Sequence, residues 1–126
     1  DKNTMRIQGY ENAYAIGDAT NIPVSKTGVT AHLEAIVATS NIVSSIRERK
    51  MLYKYNGRIN CPFEMGSGKA SFVVGSYDMP VKEIRPARLR YAMKKAFARF
   101  YWKTLSGSWD WLLNAYLGRT HSVDNW

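Results

Sequence analysis

The stretch YENAYAIGDATNIPVSKTGVTAHLEAIVATSNI, residues 10–42, determines the fold that we expect of this chain. Its short apolar run Ala13–Ile16 predicts a buried strand, and the strand ends at the dipeptide Gly17-Asp18. A loop of small polar residues follows. The strand therefore delivers the Asp18 carboxylate to a tight turn.

A long helix is predicted directly after this loop. Thr27 precedes apolar residues at helical spacing, and we expect the helix to run from about Gly28 to Arg49. Its predicted core-facing positions are Leu33, Ile36, Val37, Ile42, Val43 and Ile46. The free N–H groups of the first turn favour negative charge near Gly28, so together with Asp18 this turn suits a polar, partly anionic cofactor. In the alternative interpretation, Asp18 only caps a turn.

The rest of the chain predicts a small sheet followed by two helices. Glycines punctuate residues 53–77, which predicts an antiparallel hairpin whose best strand is Ala70–Val74. Residues 86–104 form the clearest amphipathic helix, and no acidic residue interrupts them. A second helix is expected after Ser108, with Trp109, Leu112, Leu113, Tyr116 and Leu117 on one face.

Composition narrows the class of protein. The 126 residues are 45% hydrophobic, as in an ordered single domain, and carry a net charge of +8, which attracts phosphates, nucleic acid or an anionic membrane. The single cysteine, Cys61, excludes a disulfide within this sequence and a cysteine-based zinc site, and we expect no metal site. No apolar run is long enough to cross a membrane. Because the sequence begins at Asp1, we expect it to be part of a larger protein.

Residues 10–42 closely resemble the second flavin-binding motif of flavoproteins with two dinucleotide-binding domains. The Lys-x-Gly sequence at Lys26–Gly28 is similar to that of the sulfide:quinone oxidoreductases and the related flavocytochrome c sulfide dehydrogenases. The resemblance implies FAD as cofactor, with Asp18 at the ribityl hydroxyls and Thr27 and Gly28 facing the flavin. Its predicted cofactor-binding residues are Gly17, Asp18, Lys26, Thr27 and Gly28.

The segment CPFEMGSGKA, residues 61–70, resembles the family segment around a redox-active cysteine. The resemblance implies that Cys61 is catalytic, because sulfide oxidation requires a thiol that can form and exchange an S–S bond. Its partner cysteine would come from the N-terminal half of the family's proteins. The alternative is a buried thiol without a catalytic role.

The C-terminal helices are predicted to dock on a membrane surface. A basic amphipathic helix followed by a Trp-rich segment has the composition of an interfacial anchor, although the same stripe could instead pack in the core. In the resembled family this region reaches quinone, which implies Lys94 as a polar contact and Phe97 as a ring stack. The family often has Glu after that Phe, whereas this chain has Ala98.

These observations give a fold and three regions. We expect an α+β chain that is a C-terminal fragment of a flavoprotein with two Rossmann-like FAD/NAD(P)-binding domains. Residues 1–52 would belong to the FAD-binding domain, residues 53–84 to a β-hairpin region carrying Cys61, and residues 85–126 to a membrane-docking and quinone-site region.

The implied function is that of a sulfide:quinone oxidoreductase, which oxidises sulfide through Cys61 and FAD and reduces membrane quinone. We expect the isolated chain to be inactive, and the intact protein to lie peripherally on the cytoplasmic face of a prokaryotic membrane, to bind no nucleic acid and to be able to form homo-oligomers. Two alternatives remain open: a type II NADH:quinone dehydrogenase-like flavoprotein, and a non-enzymatic basic module that binds lipid or nucleic acid.

Overall fold

The computed structural model describes residues 1–50, 53–109, 111 and 121–123. It contains two α-helices, α1 (Gly28–Ile46) and α2 (Arg88–Thr104). Its strands are β1 (Tyr53–Tyr55), β2 (Ile59–Gly66), β3 (Lys69–Gly75), β4 (Lys82–Ala87) and β5 (His121–Val123). The predicted α+β class is confirmed at this level, while the three predicted regions remain a prediction.

An antiparallel three-stranded sheet with the order β2-β3-β4 forms the centre of the fold. The tight turn between β2 and β3 has positive φ angles at Gly66, Ser67 and Gly68, a conformation that glycine adopts without strain. The predicted hairpin is therefore present. β1 and β5 pair separately as a two-stranded antiparallel ribbon, with Tyr53 opposite Val123.

The third strand of the sheet, β4, was not predicted. The helix predicted over residues 86–104 overlaps the end of this strand, because Pro86 lies inside β4. An edge strand accepts proline because one side of its backbone needs no ladder hydrogen bond, and the register between β3 and β4 shifts between Ala70 and Phe72, beside this position.

The prediction of a strand over Ala13–Ile16 was wrong, because the structure has an isolated β-bridge there. In the described part of the chain Tyr14 forms one isolated antiparallel bridge, to Arg6, and all four residues are half-buried rather than buried. Two backbone bonds, from Ile7 N to Ala13 O and from Ala15 N to Met5 O, hold this segment to the N-terminal segment. The position of the following turn is nevertheless as expected.

Helix α1 begins where predicted and ends three residues early. Leu33 and Val37 are buried in the main core with Met5 and Tyr55, whereas the predicted core residue Ile46 is 77% exposed. Polar residues of α1 are also buried: the amide of Asn41 donates to Thr4 O at 3.1 Å and Tyr53 O at 2.9 Å. Through these two hydrogen bonds the Asn41 side chain connects α1 both to the N-terminal segment and to β1.

The predicted apolar face of α2 divides into two sides. Phe97 and Tyr101 pack against the core, but Leu89 and Met93 are 73% and 41% exposed. Leu89 and Met93 instead line a second open cavity, of about 370 Å³, beside Phe72 and Ile84 of the sheet. Within the described part of the chain, no helix has both the length and the apolarity needed to span a membrane. The second predicted C-terminal helix lies almost wholly outside the described residues.

Candidate functional site

The Gly17–Asp18 turn is a short 3-10 turn, Gly17–Ala19, that leaves Asp18 exposed. Gly17 has a φ of +62°, and a Cβ at this position would stand 3.3 Å from the Cβ of Ala31. Glycine therefore satisfies both the left-handed backbone and the close approach of α1. The turn presents the Asp18 carboxylate away from the core.

The side chain of Glu34 forms a hydrogen bond with this turn on its buried side. Its side chain is fully buried, and its Oε2 accepts a hydrogen bond of 2.6 Å from Gly17 N. The other oxygen, Oε1, is buried without a hydrogen-bond partner among the residues that the structure describes. Burial, and secondly the Glu34 carboxylate, raises the pKa of both Tyr55 and Tyr77 above the usual value. Sequence interpretation missed Glu34 because a glutamate in an amphipathic helix ordinarily faces solvent.

Lys26 closes the loop between the turn and α1. Its Nζ lies 2.9 Å from Thr20 Oγ1, 3.2 Å from Ile22 O and 3.4 Å from Gly17 O. In this arrangement the ammonium binds loop oxygens, so Lys26 fixes the path of the chain from Gly17 to the start of the helix.

The start of α1 is capped by Thr27, whose Oγ1 accepts a hydrogen bond of 3.2 Å from Thr30 N. Gly28 follows, exposed, with nothing within 4 Å of the position a Cβ would occupy. The backbone at the helix start is therefore open to a planar group, and its first-turn N–H groups favour negative charge there.

Five of the eight predicted site residues line one open cavity of about 440 Å³. They are Thr27, Gly28, Cys61, Lys94 and Phe97. The walls are mainly apolar, and they come from the start of α1, from β2 and from the inward side of α2. The other three, Gly17, Asp18 and Lys26, do not line this cavity; they belong to the loop that leads to Thr27.

Cys61 is half-buried on β2, paired with Val73 of β3, and its thiol is free. A central position in a hairpin fixes the Cβ direction, because side chains alternate between the two faces of the sheet. The thiol side chain thus lines the cavity on a rigid strand rather than on a loop.

Lys94 lies at this cavity in an ion pair. Its Nζ is 3.2 Å from Glu64 Oε1, and the side chains are 30% and 48% exposed. Such a pair contributes little to stability, typically below about 1 kcal/mol. Glu64 was not predicted as a site residue, since nothing in the sequence indicates that it meets Lys94 across 30 positions.

Tyr101 is another cavity residue that sequence interpretation did not assign to the site. Its hydroxyl is 3.4 Å from Nδ1 of His32, and the two rings meet edge to face with centroids 5.7 Å apart. The ring of Phe97 lies 5.4 Å from that of Tyr101. The sequence contains one indication of this contact. His32 lies one helical turn after Gly28, and Tyr101 lies one helical turn after Phe97, so each shares a helix face with a predicted site residue.

Several known proteins are similar to this chain in sequence, although no family model matches it. A mitochondrial sulfide:quinone oxidoreductase of Schizosaccharomyces pombe is 30% identical, over 86% of this chain and 27% of its own length. That of Dictyostelium discoideum is 26% identical over 86% of this chain and 26% of its own. The chain is related to the sulfide:quinone oxidoreductases.

The predicted resemblance to this family is thus confirmed. Human ferroptosis suppressor protein 1 is also similar, at 26% identity over 82% of the chain and 27% of its own length. The chain spans about a quarter of the length of these relatives. Those named here are eukaryotic, and the oxidoreductases among them are mitochondrial, so they give no support to the predicted prokaryotic location.

The fold is shared by a chain of known structure. A chain in the cryo-EM structure of the Tetrahymena thermophila mitochondrial ATP synthase F1Fo tetramer aligns with a TM-score of 0.67 at 20% identity. The alignment covers 95% of this chain and 28% of that one. At this identity the likeness concerns the fold alone.

Proposed function

We propose that this chain forms the part of an FAD-dependent sulfide:quinone oxidoreductase in which thiol, flavin and quinone meet. The observation that supports this most strongly is the shared cavity, which brings Gly28, Cys61 and Phe97 together from three different elements. These residues were assigned separately to the flavin, to sulfide chemistry and to quinone. Their meeting at one cavity supports electron transfer between the three groups over short distances.

The residues at the start of α1 fit a flavin. The exposed backbone at Gly28 leaves room for a planar ring, and the positive end of the helix dipole at the start of α1 suits the negative charge that develops on reduction. Asp18, exposed on the preceding turn, is available to accept hydrogen bonds from ribityl hydroxyls. When bound, FAD would take two electrons from sulfide and pass them to quinone.

Cys61 would bind the sulfur atom of sulfide covalently. Hydrosulfide attacks a disulfide between Cys61 and a second cysteine; a new S–S bond forms a persulfide, and the broken bond leaves a thiolate that carries the electron pair. The 126 residues contain one cysteine, so the second would come from outside this sequence.

Phe97 and Lys94 would bind quinone. The Phe97 ring offers a flat apolar surface, and the Lys94 ammonium can donate a hydrogen bond to a quinone carbonyl. Because the ion pair between Lys94 and Glu64 is partly exposed and weak, a carbonyl oxygen can compete for the ammonium without a large loss of stability.

A membrane would deliver quinone to this cavity. Large apolar side chains are exposed on α2 and just after it: Leu89, Met93, Trp102, Leu105, Trp109 and Trp111. The same helix carries six basic residues and no acidic one. An exposed apolar surface beside basic residues suits the boundary between acyl chains and lipid phosphates, so we propose peripheral attachment there.

Replacing Cys61 in the complete flavoprotein tests this function. Cys61→Ser should abolish sulfide-dependent quinone reduction, while bound FAD and its absorbance spectrum stay unchanged. Met65→Ser, at an exposed end of the same strand, is the matched control and should keep full activity. Retained sulfide oxidation in Cys61→Ser would contradict the proposal. Strong NADH-dependent quinone reduction that Cys61→Ser leaves intact would instead support an NADH:quinone dehydrogenase.

A further inference from the structure

Tyr101 and His32 form a polar pair beside the proposed quinone position. Tyr101 lines the same cavity as Phe97 and Lys94, and its hydroxyl lies 3.4 Å from His32 Nδ1. Both residues are half-buried, so the cavity side is partly shielded while the imidazole keeps some access to water. The pair joins α1 to α2 and has no role in the electron transfer described above.

Quinone reduction consumes protons as well as electrons. Each carbonyl oxygen becomes a hydroxyl, so the reaction needs two electrons and two protons. A reduced flavin can supply a hydride equivalent, which is both electrons and one proton. A second proton must reach the other oxygen, and a group that lines the cavity and connects to solvent is needed to carry it.

We propose that Tyr101, recharged by His32, donates this second proton to the quinone; this inference rests on the proposed function. The phenolic O–H bond breaks as the new O–H bond forms on the quinone oxygen. The resulting phenolate takes a proton from Nδ1 of the His32 imidazolium, and the imidazole is reprotonated from water. Histidine suits this second step because it exchanges protons near neutral pH.

Other titratable groups face the same cavity from the elements packed around Tyr101. They are Cys61 on β2 and Lys94 on α2 itself. Cys61 is assigned to the sulfur chemistry. Lys94 is assigned to a hydrogen bond with one quinone carbonyl, which leaves the other oxygen to Tyr101, whose hydroxyl has His32 behind it.

Tyr101→Phe is the variant that separates proton donation from packing. It keeps the ring contacts with His32 and Phe97 and removes only the hydroxyl. The complete flavoprotein is reduced with sulfide, and reoxidation of its flavin is followed by stopped flow with decylubiquinone or with ferricyanide. Ferricyanide accepts electrons without protons. Tyr101→Phe should slow the quinone reaction by about 10²-fold and leave the ferricyanide reaction unchanged.

Two further measurements do not depend on turnover. Decylubiquinone quenching of tryptophan fluorescence should give the same affinity for Tyr101→Phe and for the unaltered protein, which places the effect on rate rather than on binding. In the 126-residue chain, Tyr101→Phe should shift the ¹⁵N titration of His32, because the variant removes the hydroxyl that faces His32 Nδ1.

The outcomes are distinguishable. If Tyr101→Phe reduces quinone at the unaltered rate, or slows both acceptors equally, the proton-donor role is refuted while the proposed function stands. If quinone does not reoxidise the flavin of the unaltered protein at all, the proposed function itself fails. Recharging follows donation, so it is tested in steady-state turnover with sulfide: slow turnover of His32→Gln with decylubiquinone, with ferricyanide turnover unaffected, supports the recharging step, and unaffected decylubiquinone turnover overturns it.

Discussion

Replacing Glu34 by alanine is expected to release the turn that carries Asp18. The carboxylate is fully buried, and its Oε2 accepts the Gly17 N–H at 2.6 Å. A hydrogen bond to a charged group contributes about 1.5–3 kcal/mol, and alanine would leave a buried N–H without a partner. The variant also removes Oε1, which is buried with no hydrogen-bond partner among the described residues, and this offsets part of the loss. We therefore expect the free energy of unfolding to fall by about 2 kcal/mol.

Glu34→Gln is the matched control. Its amide oxygen can still accept the Gly17 N–H, so the turn should survive, and the loss should stay below about 1 kcal/mol because only the charge assistance is removed. Urea unfolding of the chain followed by circular dichroism gives both values. Hydrogen exchange of the Gly17 amide reports the turn directly, and it should accelerate in Glu34→Ala but much less in Glu34→Gln.

Two outcomes would refute this reasoning about Glu34. One is a Gly17 amide that exchanges equally slowly in the unaltered chain and in Glu34→Ala. The other is a glutamine variant that is as unstable as the alanine variant, because that would mean the buried charge itself, and not its acceptor oxygen, stabilises the fold.

Three further perturbations have expected outcomes. Gly17→Ala should lower the free energy of unfolding in urea by about 1–2 kcal/mol, because the φ of Gly17 is +62°. Gly28→Ala should leave this free energy nearly unchanged, because its new Cβ would have nothing within 4 Å. Equal losses in the two variants would contradict the geometry. Because burial and Glu34 raise the pKa of Tyr55, the folded chain keeps a proton that the unfolded chain loses above about pH 10, so stability should fall as pH rises from there. Tyr55→Phe should flatten that slope, and an unchanged slope would contradict the role of burial. The double variant Leu89→Asp with Met93→Asp should reduce flotation of the chain with anionic liposomes roughly tenfold or more, because each change removes an apolar side chain worth about 1.5–3 kcal/mol when buried. The control variant Met79→Asp should float with the liposomes as the unaltered chain does. Unchanged flotation of the double variant would refute docking through α2.

The helices were largely predictable from the sequence because their apolar periodicity is strong. Both begin within two residues of the expected position. Their orientation was less predictable: α2 has apolar residues on two sides, and periodicity alone does not tell which side meets the sheet. Only packing distinguishes the inward Phe97 from the exposed Leu89.

The strands show where local patterns are insufficient. A proline such as Pro86 is compatible with a strand only at an edge, and whether a strand is an edge depends on its neighbours in the sheet. Conversely, the apolar run at Ala13–Ile16, which was predicted to be a strand, forms a single antiparallel bridge within the described residues. In both cases long-range pairing, rather than local propensity, decides the outcome.

The candidate site could be assembled from the sequence only through resemblance. Motif similarity singled out Gly28, Cys61 and Phe97 one by one, but their meeting at one cavity depends on how α2 packs on β2 and α1. Glu34 and the pair of His32 with Tyr101 had no motif to indicate them. Their importance arises from burial and from contacts between residues far apart in the chain.

The most direct test of the central claim is an experimental structure of the complete flavoprotein with FAD and a quinone analogue bound. Our account predicts that the flavin contacts the backbone at Gly28, that the Cys61 sulfur lies on one side of the flavin, and that the quinone ring stacks on Phe97 within the same cavity. A quinone bound elsewhere, or a flavin that leaves Cys61 out of reach, would contradict the proposed electron path.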